Sequence, residues 1–300
     1  MSRSRKPIDV GLDRFRVVDG AGFRLADFDP DDRGGLGPDG KAAADHRLEA
    51  CVETLGELQR RMYADGRWAV LLVFQALDAA GKDGTISRVL AGVDPHGLHV
   101  ESFKQPSREE LAHDFLWRTT LRLPRRGHIG VFNRSYYEET LVVRVRPELL
   151  LAQDLPRERA GDALWAERFE DIRAFERHLD RSGTLVRKFF LHVSKEEQRR
   201  RLLARIDEPE KNWKFAVGDV GERALWDEHA AAYEETIRHT ATAGAPWFVV
   251  PADHKWFTRL VVAEAIVEAL ESIASAPREL DGAARAQLAE ARRRLEDERA

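Results

Sequence analysis

Residues 70–89 read Val-Leu-Leu-Val-Phe-Gln-Ala-Leu-Asp-Ala-Ala-Gly-Lys-Asp-Gly-Thr-Ile-Ser-Arg-Val. No other stretch of the chain restricts the fold as sharply. The apolar run 70–74 has the length and composition of a buried strand. A turn of small residues follows and ends in Gly81-Lys82. Ile86, Val89 and Leu90 then recur three and four apart, as on one face of a helix. A strand, a small-residue turn, Gly-Lys and a helix make the layout of a P-loop. Such a turn aims backbone N–H groups and a helix N-terminus at phosphate oxygens, with the lysine as a point charge. The first expectation is therefore phosphate binding and phosphoryl transfer, weighed against a strand–helix turn that binds nothing. Residues 79–85, Ala79, Ala80, Gly81, Lys82, Asp83, Gly84 and Thr85, are the candidate phosphate cradle.

The match departs from the common pattern at two places. Ala76 stands where the first glycine belongs, and Asp83 stands where Ser or Thr would follow the lysine. The hydroxyl that would hold magnesium is thus missing from its place. Asp78, inside the loop, is an extra carboxylate. Magnesium binds through one or two carboxylates plus phosphate oxygens, so Asp78 is the candidate metal ligand.

Strands alternate with helices over most of the chain. Beyond the first unit, strands are expected at 99–104, 128–132, 185–193 and 247–250, each followed by a helical pattern. Three Ser-x-x-Glu patterns, at Ser107, Ser135 and Ser194, read as capping boxes opening helices. This alternation predicts an α/β fold: a five-stranded parallel sheet between two helical layers, with a helical lid. Residues 1–40 read as an arm or long loop. Residues 41–276 read as the P-loop domain, with a lid over about 194–240, and residues 277–300 as a charged helix. In open parallel sheets ligands bind at the C-terminal ends of strands, so the loops after the strands share one rim.

Charge singles out further residues. From Arg118 to Arg146 there are seven arginines against Glu138 and Glu139, and Arg134 sits where a strand gives way to a helix on the ligand rim. It either meets phosphate or pairs with Glu138. Asn133 ends the same strand, where P-loop enzymes usually hold a magnesium-coordinating Asp. Glu138 closes its capping box or faces an acceptor. Lys188, in the fourth strand, and Arg199 are candidate phosphate contacts. Arg199-Arg200-Arg201 near a helix start oppose the macrodipole, which is easier to understand if an anion lies between them. Arg200, Lys211 and Lys214 fall in the candidate lid.

The remaining composition excludes more than it assigns. A net charge of −4 over 300 residues gives no sign of nucleic acid or of a membrane surface. The only cysteine, Cys51, permits no intrachain disulfide, and no signal peptide or membrane-length apolar run is visible. A cytoplasmic protein is expected, assembled as a homo-oligomer (dimer or tetramer). No Ser-His-Asp, Cys-His or zinc spacing emerges.

Taken together, several stretches make the chain similar to the polyphosphate kinase 2 family. They are Phe74-Gln-Ala-Leu-Asp-Ala-Ala-Gly-Lys-Asp-Gly-Thr-Ile, Phe103-Lys-Gln-Pro-Ser, His113-Asp-Phe-Leu-Trp-Arg, Gly130-Val-Phe-Asn-Arg-Ser-Tyr-Tyr-Glu-Glu, Phe190-Leu-His-Val-Ser-Lys-Glu-Glu-Gln-Arg and Pro251-Ala-Asp-His-Lys-Trp-Phe. The resemblance implies a thymidylate-kinase-like fold and magnesium-dependent transfer of phosphate between inorganic polyphosphate and nucleotides, with manganese as a substitute ion. It implies P-loop roles for Asp78 and Lys82, a phosphate-contacting role for Arg134, and a lid containing the helix from Ser194. Asn133, Asp83 and Tyr136-Tyr137 resemble the branch that accepts AMP as well as ADP. Two other readings stay open: an ATP-dependent kinase of a nucleoside monophosphate or small metabolite, and a non-catalytic nucleotide- or polyphosphate-binding regulator.

Overall fold

The computed structural model describes residues 10–37, 40–159, 161, 163–216, 218–273 and 282–298. In chain order the regular elements are β1 (Arg16–Val17), α1 (Gly40–Asp65), β2 (Ala69–Ala76), α2 (Lys82–Val89), β3 (Leu98–Ser102), α3 (Arg108–Leu111), α4 (Trp117–Thr120), β4 (Ile129–Asn133), α5 (Val142–Val145), α6 (Pro147–Leu151), α7 (Leu164–Arg181), β5 (Thr184–His192), α8 (Lys195–Asp207), α9 (Gly218–Ala224), α10 (Trp226–Thr240), β6 (Trp247–Pro251), α11 (Lys255–Ile273) and α12 (Gly282–Asp297). No helix among the described residues is long and apolar enough to cross a membrane.

The sheet order is β1-β6-β5-β2-β4-β3. The five expected strands are all present and mutually parallel. The sixth, β1, was not expected. It adds antiparallel to β6, Arg16 opposite Phe248 and Val17 opposite Trp247. The segment read as an arm thus carries a two-residue strand and buries Val10, Phe15, Val17, Phe23 and Leu25. Those apolar residues come singly among Asp, Gly and Arg, so they leave no periodic signal.

β2 is central and buried on both faces, which is why its sequence is an unbroken apolar run. Its side chains alternate between two cores. Val70, Leu72 and Phe74 join α1, α2 and α11, while Leu71 and Val73 face α7, α10 and the segment after β4. α11 is apolar around its circumference because it lies between α1 and the sheet. α12 has no buried residue.

The capping patterns meet different fates. Ser107 forms the complete reciprocal box with Glu110, but α3 lasts only one turn. Ser194 accepts from the Glu197 N–H at 3.1 Å, while the Glu197 carboxylate turns to Arg200 and Arg201. Ser135 caps Tyr137 and opens a 3₁₀ turn, Tyr136–Glu139, instead of an α-helix. The expected lid, about 194–240, spans α8, α9 and α10. α10 buries His229, Ala232, Tyr233, Thr236, Ile237 and Thr240, so it belongs to the core layer. Arg205 of α8, Lys214 of the 3₁₀ turn Pro209–Lys214 and Glu222 of α9 line the cleft, and Trp226 and Tyr233 of α10 reach it as well.

One buried polar network ties β5, α7, α10 and the 136–139 turn together. Lys188 Nζ donates to Glu176 Oε2 at 2.7 Å and to the Thr240 carbonyl at 2.8 Å. The Tyr136 and Tyr137 hydroxyls donate to Glu176 Oε1 at 2.8 and 2.7 Å. Burial and the adjacent carboxylate push both phenols far above their usual range, so they remain proton donors. Removing one member of a buried ion pair strands the other. Lys188→Ala should therefore cost about 3–5 kcal/mol of stability, read from the shift of the urea unfolding midpoint. A shift well under 1 kcal/mol would show that the pair is dispensable.

Candidate active site

The loop after β2 is shaped by backbone geometry. Gly81 has φ +99° and Ala79 φ +62°. The glycine occupies its left-handed conformation freely, whereas an alanine there is strained by about 1–2 kcal/mol. Something must hold Ala79 in place, and Arg201 does so. Its guanidinium donates to the Ala79 and Ala80 carbonyls at 3.0 and 2.8 Å, and to those of Ala252 and Asp253 at 2.6 and 3.1 Å. Its Nε donates to Glu197 Oε1 at 2.6 Å. Gln198 adds a bond to the Asp78 carbonyl at 3.1 Å. α8 thus clamps the loop from outside, and α2 starts directly behind it. Thr85 is buried and spends its hydroxyl on the Gly81 carbonyl at 3.0 Å.

Parallel pairing of β2 and β4 places Asn133 opposite Phe74, at the mouth of the same loop. Lys82 Nζ donates to Asn133 Oδ1, and Asn133 Nδ2 donates to Asp83 Oδ1 at 2.9 Å. The lysine is largely buried. Burial first, and Arg134 second, lower its pKa from the usual range. Arg134 follows with φ +65°, anchored by its N–H to the Phe74 carbonyl at 3.0 Å. Its guanidinium spans two carboxylates, Glu138 Oε2 and Asp78 Oδ1, each at 3.4 Å. Glu138 first, then Asp78, raises its pKa against the cost of burial.

Glu138 does not close a capping box. With the Gln75 amide oriented to satisfy its neighbours, that residue donates to Glu138 Oε1 at 2.9 Å and accepts from Ser135. Burial raises the Glu138 pKa, opposed by Arg134 and Lys82. Asp78, Lys82, Asn133, Arg134 and Glu138 therefore converge, as their rim positions predict.

Other expected phosphate contacts lie elsewhere. Lys188 is fully buried and spent on Glu176, on the far side of the second core. Strand alternation puts it inward, where a lysine survives only when paired. Arg199 pairs with Glu196 at 3.2 Å and Arg200 with Glu197 at 2.6 Å. Their charges are met within their own helix, and Arg201 serves the loop carbonyls, so no anion is needed to explain the triplet. Lys211 pairs with Glu208. Lys214 does reach the site, together with Arg205 and Trp213.

Arg134 lines three cavities, two of which bear directly on the chemistry. One, of about 610 Å³, is lined by the loop from Ala76 to Gly84, by Lys104, Asn133 and Arg134, and by the overhanging Arg205 and Lys214. It is polar and cationic, the surroundings a phosphate chain needs. The other, of about 300 Å³, is lined by Phe103, Pro106, Phe115, Val142 and Leu149, with Arg118 at its wall and Arg134 and Glu138 at its floor. Its apolar walls, rimmed by polar residues such as Gln105, Thr119 and Gln153, suit a flat organic ring. Sequence reasoning did not find this second cavity. Its walls come from four separate segments, and nothing local ties Phe103 to Leu149.

The geometry agrees with relationships at the level of the whole chain. Residues 39–277 match the family model for polyphosphate kinase 2. An ADP-polyphosphate phosphotransferase of Rhodopseudomonas palustris is 53% identical over 249 residues, 83% of this chain and 86% of the relative. An AMP/ADP-polyphosphate phosphotransferase of Meiothermus ruber is 46% identical over 263 residues, 88% of this chain and 94% of the relative. The crystal structure of polyphosphate kinase 2 from Arthrobacter aurescens superposes with a TM-score of 0.84 at 37% identity, covering 97% of this chain and all of that one.

The Arg201 clamp is open to direct test. Arg201→Met keeps the aliphatic stem and removes four bonds to carbonyls. It should cost about 2–4 kcal/mol of stability and speed amide exchange across residues 78–82 at least tenfold, read by hydrogen exchange. Unchanged exchange would mean that the loop holds its own shape.

Proposed function

The chain belongs to the polyphosphate kinase 2 family, and on that footing we propose that its cleft moves a phosphoryl group between inorganic polyphosphate and the adenine nucleotides AMP and ADP. The position of Arg134 carries this reading. It stands where the cationic cavity over the P-loop opens into the apolar cavity, so a phosphate donor in the first and a nucleoside in the second would meet at one guanidinium.

The chemistry asks little covalent help of the protein. The acceptor's terminal phosphate oxygen is already anionic and can attack in line, with charge spread over the equatorial oxygens. Lys82 and the N–H groups of residues 79–84 hold the donor phosphates, and Arg134 neutralises charge on the moving group. Glu138 and Asp78 fix Arg134 from two sides, so its guanidinium is preorganised rather than recruited. Arg205 and Lys214, overhanging the cleft, close the site against water.

A divalent ion fits this arrangement. Among the described residues no three His, Cys, Asp or Glu side chains converge, so a protein-only cage is not on offer. Magnesium needs none, since it keeps waters and shares phosphate oxygens with one or two carboxylates. Asp78, whose carboxylate is about one-third exposed to the cleft, is the residue that would hold it, with manganese as a substitute. The ion would neutralise phosphate charge and orient the donor. Assembly as a dimer or tetramer in the cytoplasm completes the reading. The free, buried Cys51 supports a reducing compartment.

The decisive experiment is a matrix of donors, polyphosphate or ATP, against the acceptors AMP, ADP, GMP and GDP, with magnesium. Formation of ADP from AMP and of ATP from ADP with polyphosphate is expected. Turnover with ATP alone as donor would move the protein to a different kinase class. Within this reaction Lys82→Ala should lower turnover at least 10²-fold, roughly 2.7 kcal/mol of transition-state stabilisation, with little change in folding. Wild-type turnover would mean that the loop does not hold the reacting phosphates.

Asp78→Asn should remove most activity and recover little at raised magnesium. Asn133→Asp should be milder, because it adds a carboxylate beside an existing cation and chiefly alters acceptor preference. Turnover measured against magnesium concentration for both variants gives the ranking. The reverse order would place the metal elsewhere.

A further inference from the structure

A third cavity, of about 160 Å³, opens beside Arg134 between the P-loop, α9 and α10, where Asp78, Glu138, Glu222, His229 and Tyr233 line it. It is well below the roughly 300 Å³ at which ligand pockets begin, so it suits water and a small ion rather than a nucleoside. It is also the most acidic of the three, with three carboxylates against Arg134 and His229. Arg134 is already shared between Glu138 and Asp78. Glu222 is held by Arg146 at 2.6 Å and by His229 at 3.0 Å. An anion entering here would meet carboxylates, and a cation would be welcome.

The core delivers to this cavity one polar group that the fold does not use. Tyr233 of α10 is only 4% exposed, and its ring stacks on Phe190 with centroids 4.0 Å apart. Among the described residues its hydroxyl has no hydrogen-bond partner. Tyr136 and Tyr137 are as deeply buried, yet both spend their hydroxyls on Glu176. Burial first, then Glu138, pushes the Tyr233 phenol far above its usual range, against Arg134. The hydroxyl is therefore neutral and stands among the charges of the site. A buried hydroxyl without a partner costs about 1–3 kcal/mol, and phenylalanine would fill the same space without that cost. The tyrosine is accounted for if a bound group completes it.

Magnesium held by one or two carboxylates keeps several waters. Water on a divalent ion is polarised into a strong donor, and groups around the site orient it. We propose that this cavity receives the waters of the divalent ion at Asp78, and that Tyr233 is a positioning residue whose hydroxyl oxygen accepts from one of them. Glu138 and Glu222 are the further acceptors. The proposal rests on the functional reading above and adds to it the groups that hold the ion beyond its single carboxylate. It accounts for a metal site in which, among the described residues, no three ligating side chains converge.

The test reads the ion directly. Manganese binding to the full chain is titrated through the electron paramagnetic resonance signal of the free ion, for the wild type, Tyr233→Phe, Glu222→Gln and Asp78→Asn. The wild type should bind manganese at a site that Asp78→Asn abolishes. Tyr233→Phe should raise its Kd about tenfold, and Glu222→Gln should raise it as well. The phenylalanine keeps the ring and its stacking on Phe190, so Tm should not fall. In turnover, the magnesium concentration for half-maximal rate should rise by a similar factor, while KM for ADP stays within about twofold. Wild-type manganese affinity in Tyr233→Phe overturns the proposal, as does a manganese site indifferent to Asp78→Asn. Should Tyr233→Phe fail to fold by circular dichroism, Glu222→Gln carries the same comparison from the α9 side, and wild-type affinity there overturns the cavity's role. The titration needs no turnover. If the wild type makes neither ADP nor ATP from polyphosphate, the functional reading fails by itself, and manganese affinity still decides the role of Tyr233.

Discussion

The Glu176–Lys188 pair is the constraint from which the site hangs. A carboxylate and an ammonium buried together are tolerable only if their remaining hydrogen-bonding capacity is met. Here the partners are Tyr136, Tyr137 and the Thr240 carbonyl. The two tyrosines immediately follow Arg134 and Ser135. Satisfying the pair therefore fixes the turn that directs Arg134 and Glu138 toward the P-loop. A network inside the second core, with Tyr136 at the wall of the second cavity, sets where the cleft's central cation stands.

The loop itself is held by the opposite logic. Strained backbone at Ala79 and Arg134 persists only where the surroundings over-determine it. Arg201 supplies that from one side, through carbonyl oxygens, and the β4 register supplies it from the other. Much of the positive charge near the cleft is thus architectural. Arg199, Arg200 and Arg201 are met by acids or carbonyls, whereas Lys82 donates to a neutral amide with Asp83 at 3.9 Å, and Arg134 shares two carboxylates at long range.

The sequence disclosed what local pattern encodes. An apolar run on β2, a Gly-Lys pair and the strand-end residues Asn133 and Arg134 are short-range signals, and the parallel register brings them together without further information. What it concealed depends on partners distant along the chain. Lys188 reads like any strand lysine until Glu176 is known to lie beneath it. Arg201 reads like its two neighbours until the Ala79 carbonyl is found beside it. β1 has two residues and no alternation. The pattern at Ser135 has the spacing of a capping box, yet Glu138 is drawn to Arg134 and Gln75 in place of the Ser135 backbone N–H. The apolar cavity, assembled from separate loops, has no signature at all.

The two edges of the sheet bear on how copies of this chain can meet. Exposed strand edges invite pairing with another chain, and short, charged or irregular edges discourage it. On one side β1 offers two residues, one of them Arg16, engaged with Glu268. On the other, β3 is five residues long and carries His99 and Glu101, with Arg122 reaching to the latter. Both edges thus discourage a continuous intermolecular sheet. Contacts between copies would then fall to side chains and helix surfaces, where they can be tuned residue by residue without disturbing the strands that aim the phosphate loop.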